Sequence, residues 1–187
     1  MSPVLHCHRS SLSELAPSAP SDCFGRDEFI EEVVDLACDF TPIALVGPKG
    51  IGKTYIARTV LHHPHVIKKF GEDRRFIHYD PSLASPACFL AKFSRVIGAG
   101  VDNPQDLGPL RHFLYSRKIL IVIDQVESIL DSEGKDSEEI YSMLDELADF
   151  TNLSICLTSR VRKAPDDYSY LEIPTLSEEG ASNLPGL

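Results

Sequence analysis

Gly47, Pro48, Lys49, Gly50, Ile51, Gly52, Lys53 and Thr54 match the pattern GxxxxGK[ST] at every fixed position. Each fixed type has a chemical reason. Glycines let the backbone approach phosphates closely and adopt positive φ. The main-chain N–H groups of such a loop then form an anion nest at a helix N-terminus, where the dipole also favours negative charge. In such a loop the lysine, here Lys53, reaches the β- and γ-phosphates, and the hydroxyl, here on Thr54, is a Mg²⁺ ligand. Tyr55 continues the phosphate-binding set. Lys49 belongs to the loop by position, but its side chain is expected to point to solvent. The ligand expected of this site is a purine nucleoside triphosphate, ATP with Mg²⁺.

Two further components stand downstream. The run Ile119-Leu120-Ile121-Val122-Ile123 ends in Asp124, which places a carboxylate at the C-terminal edge of a buried strand, where open parallel sheets bind ligands. Asp124 is therefore the candidate Walker B residue and the second metal ligand beside Thr54. Leu157-Thr158-Ser159-Arg160 follows the last strong strand. Arg160 is placed to read a γ-phosphate through a charge-assisted contact, the alternative being a surface arginine at a strand end.

The surrounding pattern supplies the elements these residues need. Phe29, Ile30, Val33, Val34 and Ala37 recur at helical spacing, and Pro42-Ile43-Ala44-Leu45-Val46 is a short apolar run that reads as a buried strand. The loop is then followed by a helix over 53–62. Further strands are expected over 75–79, 119–123, 153–157 and, more weakly, 168–173, with helices over 87–97, 107–115 and 137–150. Strands alternating with helices predict an α/β fold with a parallel sheet covered on both faces. Residues 1–21, rich in Ser and Pro, read as a disordered linker, and 182–187 as a tail to a domain over 22–181.

Composition bounds the partners. A formal net charge of −10 argues against nucleic acid and anionic membranes as partners, since both call for a basic patch. The acid is concentrated in 131–149, which reads as a solvated helix face. Five cysteines without a CxxC spacing suit a reducing, cytoplasmic setting, with Cys38, Cys88 and Cys156 as buried small hydrophobes. His6-Cys7-His8 lacks a second ligand pair and is a poor metal site. No apolar run approaches the ~18 residues of a membrane span.

The order of these motifs resembles the nucleotide-binding domain of STAND NTPases, the class that holds NB-ARC and NACHT proteins, and is most similar to the NB-ARC-like proteins of mushroom-forming fungi. The resemblance rests on Cys23-Phe24-Gly25-Arg26-Asp27, Ala44-Leu45-Val46 into the loop, Thr59-Val60-Leu61-His62-His63, Arg74-Arg75-Phe76-Ile77, the segments 96–101 and 120–130, Thr158-Ser159-Arg160 and the segment 172–177. It implies a three-layer P-loop NTPase fold with five parallel strands in the order 5-1-4-3-2. It also implies that Phe24, Gly25 and Arg26 lie near the adenine. The function implied is a regulatory switch, ADP-bound at rest and ATP-bound when active, with slow hydrolysis and self-association through this domain.

Two departures bear on that function. Many relatives carry a second acid directly after the Walker B aspartate, where this chain has Gln125. Glu127 is the nearest substitute as general base, or else a residue that starts a helix; Gln125 could instead orient water. Hydrolysis is accordingly slow or absent in expectation. Relatives also continue into lid and winged-helix segments beyond the point where this sequence stops, so a fragment or a short form with weak nucleotide affinity is expected. Two other classes stay open. A P-loop kinase would carry an arginine-rich lid, of which Arg160, Arg162 and Lys163 are a poor version. A non-hydrolysing interaction scaffold would have no need of Lys53, Thr54 and Asp124.

Overall fold

In the computed structural model the apolar runs become the inner strands of one sheet. The structure describes residues 17–20, 25–80, 85–99, 108–130 and 134–175. In chain order the elements are α1 (Asp27–Cys38), β1 (Ile43–Val46), α2 (Lys53–Leu61), α3 (Pro64–Phe70), β2 (Arg74–His78), α4 (Pro86–Ile97), α5 (Gly108–Ser116), β3 (Ile119–Asp124), α6 (Glu127–Leu130), α7 (Lys135–Ala148), β4 (Leu153–Ser159) and β5 (Ser169–Glu172). All strand pairs are parallel, in the order β2-β3-β4-β1-β5, which is the expected 5-1-4-3-2 read from the other edge. Every residue of β1, β3 and β4 is buried, as strands covered on both faces require.

Alternation along these strands sends side chains to two separate cores. Ala44, Val46, Ile119, Ile121, Ile123, Ile155 and Leu157 pack with α4, α5 and α7 on one face. Ile43, Leu45, Leu120, Val122 and Cys156 pack with α1, α2 and α3 on the other. Each buried Val, Leu or Ile among them stabilises the fold by roughly 1.5–3 kcal/mol, so the three central strands are rigid mounts for whatever follows their ends.

Two helices were not expected. Pro64 at the first turn, with Val66 and Phe70 buried one turn apart, makes α3. The short α6 begins at Glu127. Acidic residues of α7, among them Asp136, Glu138, Glu139, Asp145 and Glu146, are exposed, as a solvated face should be. Of the three cysteines read as core residues, only Cys156 is buried; Cys38 and Cys88 are half-buried. Burial pushes the Cys156 thiol up to about 12, with the Asp124 carboxylate adding to the shift, so it is inert as a nucleophile. Among the described residues no helix is long and apolar enough to cross a membrane.

Candidate nucleotide site

The strand order decides which chain ends meet. Because β4 lies between β1 and β3, the loop leaving β1, the last residue of β3 and the last residues of β4 converge at one edge of the sheet. Leu45 is in register with Thr158, and Ile123 with Leu157. The loop turns from β1 into α2 through Gly50 (φ 86°) and Gly52 (φ 104°). A Cβ on Gly52 would lie 2.8 Å from Arg26 Nη1. Gly52→Ala is therefore expected to destabilise the domain by about 1–3 kcal/mol, seen as a fall of several degrees in Tm. An unchanged Tm would show that the loop relaxes freely.

Lys53 is buried at 8% exposure, and its ammonium donates to Gly47 O at 2.6 Å and Pro48 O at 3.0 Å. It is thus held over the loop by the main chain it will share with a ligand. Burial lowers its pKa from the ordinary lysine value; Glu127 opposes that shift, Arg160 adds to it and Asp124 opposes it. Arg26, also buried, donates through Nη1 to Ile51 O at 2.6 Å, which braces the loop from its outer side. Lys49 is exposed, as expected.

Asp124 is 1% exposed. Its Oδ1 accepts from Thr54 Oγ1 at 2.8 Å and from Thr158 Oγ1 at 2.5 Å, and its Oδ2 lies 3.3 Å from His78 Nδ1. Thr158 Oγ1 also accepts from the Gln125 N–H at 3.0 Å, where Gln125 adopts φ 65°. The chain therefore turns sharply directly after the carboxylate. Sequence reasoning missed His78 and the hydroxyl of Thr158 as partners of Asp124. His78 ends the edge strand β2 and is in register with Asp124, a relation that exists only once β2 pairs with β3. An oxygen set of one carboxylate and one hydroxyl in direct contact, beside an anion nest, fits a hard cation such as Mg²⁺.

Opposite the loop, Arg160 Nε donates to Glu127 Oε1 at 2.7 Å. Glu127 is 5% exposed, and among the described residues its buried Oε2 has no hydrogen-bond partner. The sequence assigns these two residues separate roles; the structure pairs them. The cleft between these walls, about 380 Å³, is lined by Lys49, Gly50, Gly52, Lys53, Thr54 and Tyr55 on one side and by Gln125, Glu127 and Arg160 on the other. Gly25 and Arg26 line a second cleft with Phe29 and Pro174. Phe24 lies outside the described residues.

A parallel sheet of this order, with a glycine loop and lysine at one strand end and an aspartate at another, defines a P-loop nucleotide-binding ATPase domain. Residues 41–161 match the family of the AAA domain, more than half of the chain, and the chain belongs to that family. Similar solved structures include C. elegans PCH-2 (18% identity, TM-score 0.52, 81% of this chain and 43% of that one). The Aeropyrum pernix ORC1 protein in complex with DNA is 15% identical (TM-score 0.58, 88% and 49%). The Walker-type ATPase Paby2304 of Pyrococcus abyssi is 14% identical (TM-score 0.56, 88% and 57%). The chain thus spans about half the length of these proteins, and the likeness concerns the fold. No curated protein sequence matches the chain.

Proposed function

We propose that this domain, over 22–181, is the nucleotide-binding part of a STAND-type regulatory switch that takes ATP or ADP with Mg²⁺ and hydrolyses ATP slowly. In this reading residues 47–55 cradle the phosphates, with Lys53 on the terminal ones. Thr54 and Asp124 would hold Mg²⁺, which supplies charge neutralisation between the β- and γ-oxygens. The cleft beside Gly25 and Arg26 takes the base. The observation that carries the switch is the Arg160–Glu127 pair. With a diphosphate in the cleft, Arg160 keeps Glu127 as its acceptor. With a γ-phosphate present, Arg160 has a doubly charged competitor, and Glu127 is released with both oxygens free to polarise water. The same two side chains thus report the third phosphate and withhold the base until it arrives.

The family resemblance supports this reading, as do the absence of an acid at Gln125 and the acidity of the chain, which favours protein partners, a second copy among them. The free thiols of Cys38, Cys88 and Cys156 suit the cytoplasm. Turnover is expected at about 10⁻² per second or slower, the range of P-loop switches without an assisting partner. The test is Arg160→Ala, with ATP and ADP affinities measured by calorimetry. The variant is expected to lose about tenfold in ATP affinity while ADP binding stays within twofold or so, one charge-assisted hydrogen bond being worth roughly 1.5–3 kcal/mol. Equal losses for both nucleotides would remove the γ-phosphate role and the switch with it.

A further inference from the structure

A second constellation lies away from the cleft. Glu31 projects from α1, and His63 and His65 flank Pro64 where the chain passes from α2 into α3. His63 Nε2 is 3.2 Å from Glu31 Oε1. The two imidazole centroids are 5.1 Å apart at 83°. One ligand atom from each of the three residues lies within 4.8 Å of the others. Metal–ligand bonds of ~2.0–2.1 Å in a tetrahedron call for donors about 3.3 Å apart. The Glu31–His63 edge, at 3.2 Å, already has that length, and the donor of the exposed His65, within 4.8 Å of the others, has to approach by no more than about 1.5 Å to close the triangle. Pro64 fixes the backbone between the two histidines, and α1 packs directly on α3, so the three side chains ride on a rigid frame.

We infer that Glu31, His63 and His65 form a binding site for a divalent transition ion of the zinc and nickel class, which ties α1 to the turn between α2 and α3. Imidazole donors suit these ions and not Mg²⁺, so the site is chemically distinct from the one at Thr54 and Asp124. It is also remote from it: Lys53 begins α2 and His63 lies beyond its last residue, Leu61, so the length of that helix, roughly 12–14 Å, separates them. A Glu31–His63 ion pair and the edge-to-face contact of the two imidazoles account for pairs of these groups; a shared cation accounts for the gathering of all three donors at once. Among the described residues His63 Nδ1 is buried without a hydrogen-bond partner, so none of them fixes the ring from its outer side. That sets the affinity in the micromolar range rather than that of a fully supported structural site.

The experiment is calorimetric titration of the full chain with Zn²⁺, in buffer holding millimolar Mg²⁺, together with thermal melting. One equivalent is expected to bind with a Kd of about 1–10 μM. At a hundredfold excess over Kd it should raise Tm by about 5–10 °C. His65→Gln and Glu31→Gln should each weaken binding at least about tenfold. His65 is exposed, so its variant should melt like the parent without metal, which separates lost binding from lost folding. A triple variant, His6→Ala, Cys7→Ser and His8→Ala, should bind as the parent does. The inference is overturned if His65→Gln or Glu31→Gln binds with parental affinity, if the triple variant loses the ion, or if the parent binds no more tightly than about 100 μM.

Discussion

Lys53→Ala is expected to lower the affinity for Mg-ATP at least about a hundredfold while leaving a folded domain. The ammonium sits over the loop, held by Gly47 O and Pro48 O, and it is the buried cation of the cleft. Two charge-assisted hydrogen bonds to phosphate oxygens, at roughly 1.5–3 kcal/mol each, account for a loss of that size. Among the described residues the same ammonium donates to the loop carbonyls of Gly47 and Pro48, which border the open cleft and which water can satisfy in its absence. The melting temperature without nucleotide should therefore shift little, while the rise that ATP induces in the parent should vanish. If calorimetry gave the variant an ATP affinity within a few-fold of the parent, the loop would not be gripping phosphate.

Substitution of Asp124 should separate its two duties. Asp124→Ala removes the acceptor of Thr54 Oγ1 and Thr158 Oγ1, the latter fully buried. Leaving those hydroxyls unpaired is expected to cost about 2–4 kcal/mol, a fall of roughly 5–15 °C in Tm for a domain of this size. Asp124→Asn keeps a carbonyl oxygen in the same place and should melt close to the parent. It loses the charge that a divalent cation requires, so the gain in ATP affinity on adding Mg²⁺ should drop to less than about threefold. Calorimetry with Mg²⁺ or with EDTA reads this directly. A full Mg²⁺ gain in the asparagine variant would move the cation away from Asp124 and dissolve the pairing with Thr54.

The phosphate loop and the strands that mount it were legible because both are local. A pattern of eight consecutive residues determines the nest, and unbroken apolar runs determine which strands are buried on both faces. The expected α/β class and the Asp124 position followed from the same runs. The family resemblance added the strand order, which no spacing contains.

What stayed hidden depends on distance in sequence. Thr158 and Asp124 are 34 residues apart and meet because β3 and β4 are neighbours. His78 reaches Asp124 across 46 residues through the pairing of β2 with β3. Glu127 could be read as a base or as a helix start; the structure makes it the first residue of α6 and gives it Arg160 as a partner. Arg26, placed near the base by resemblance, lines the second cleft and also donates to Ile51 O, 25 residues away in the chain. The short α3 carried a local sign in Pro64, Val66 and Phe70, but seven residues are too few for an apolar period to stand out. The sequence by itself determined the chemistry available, a glycine cradle, one lysine, a hydroxyl and a carboxylate, since these are properties of residue types at close spacing. Only the tertiary structure decided which of those groups touch, because parallel strand pairing brings together side chains that the chain keeps dozens of residues apart.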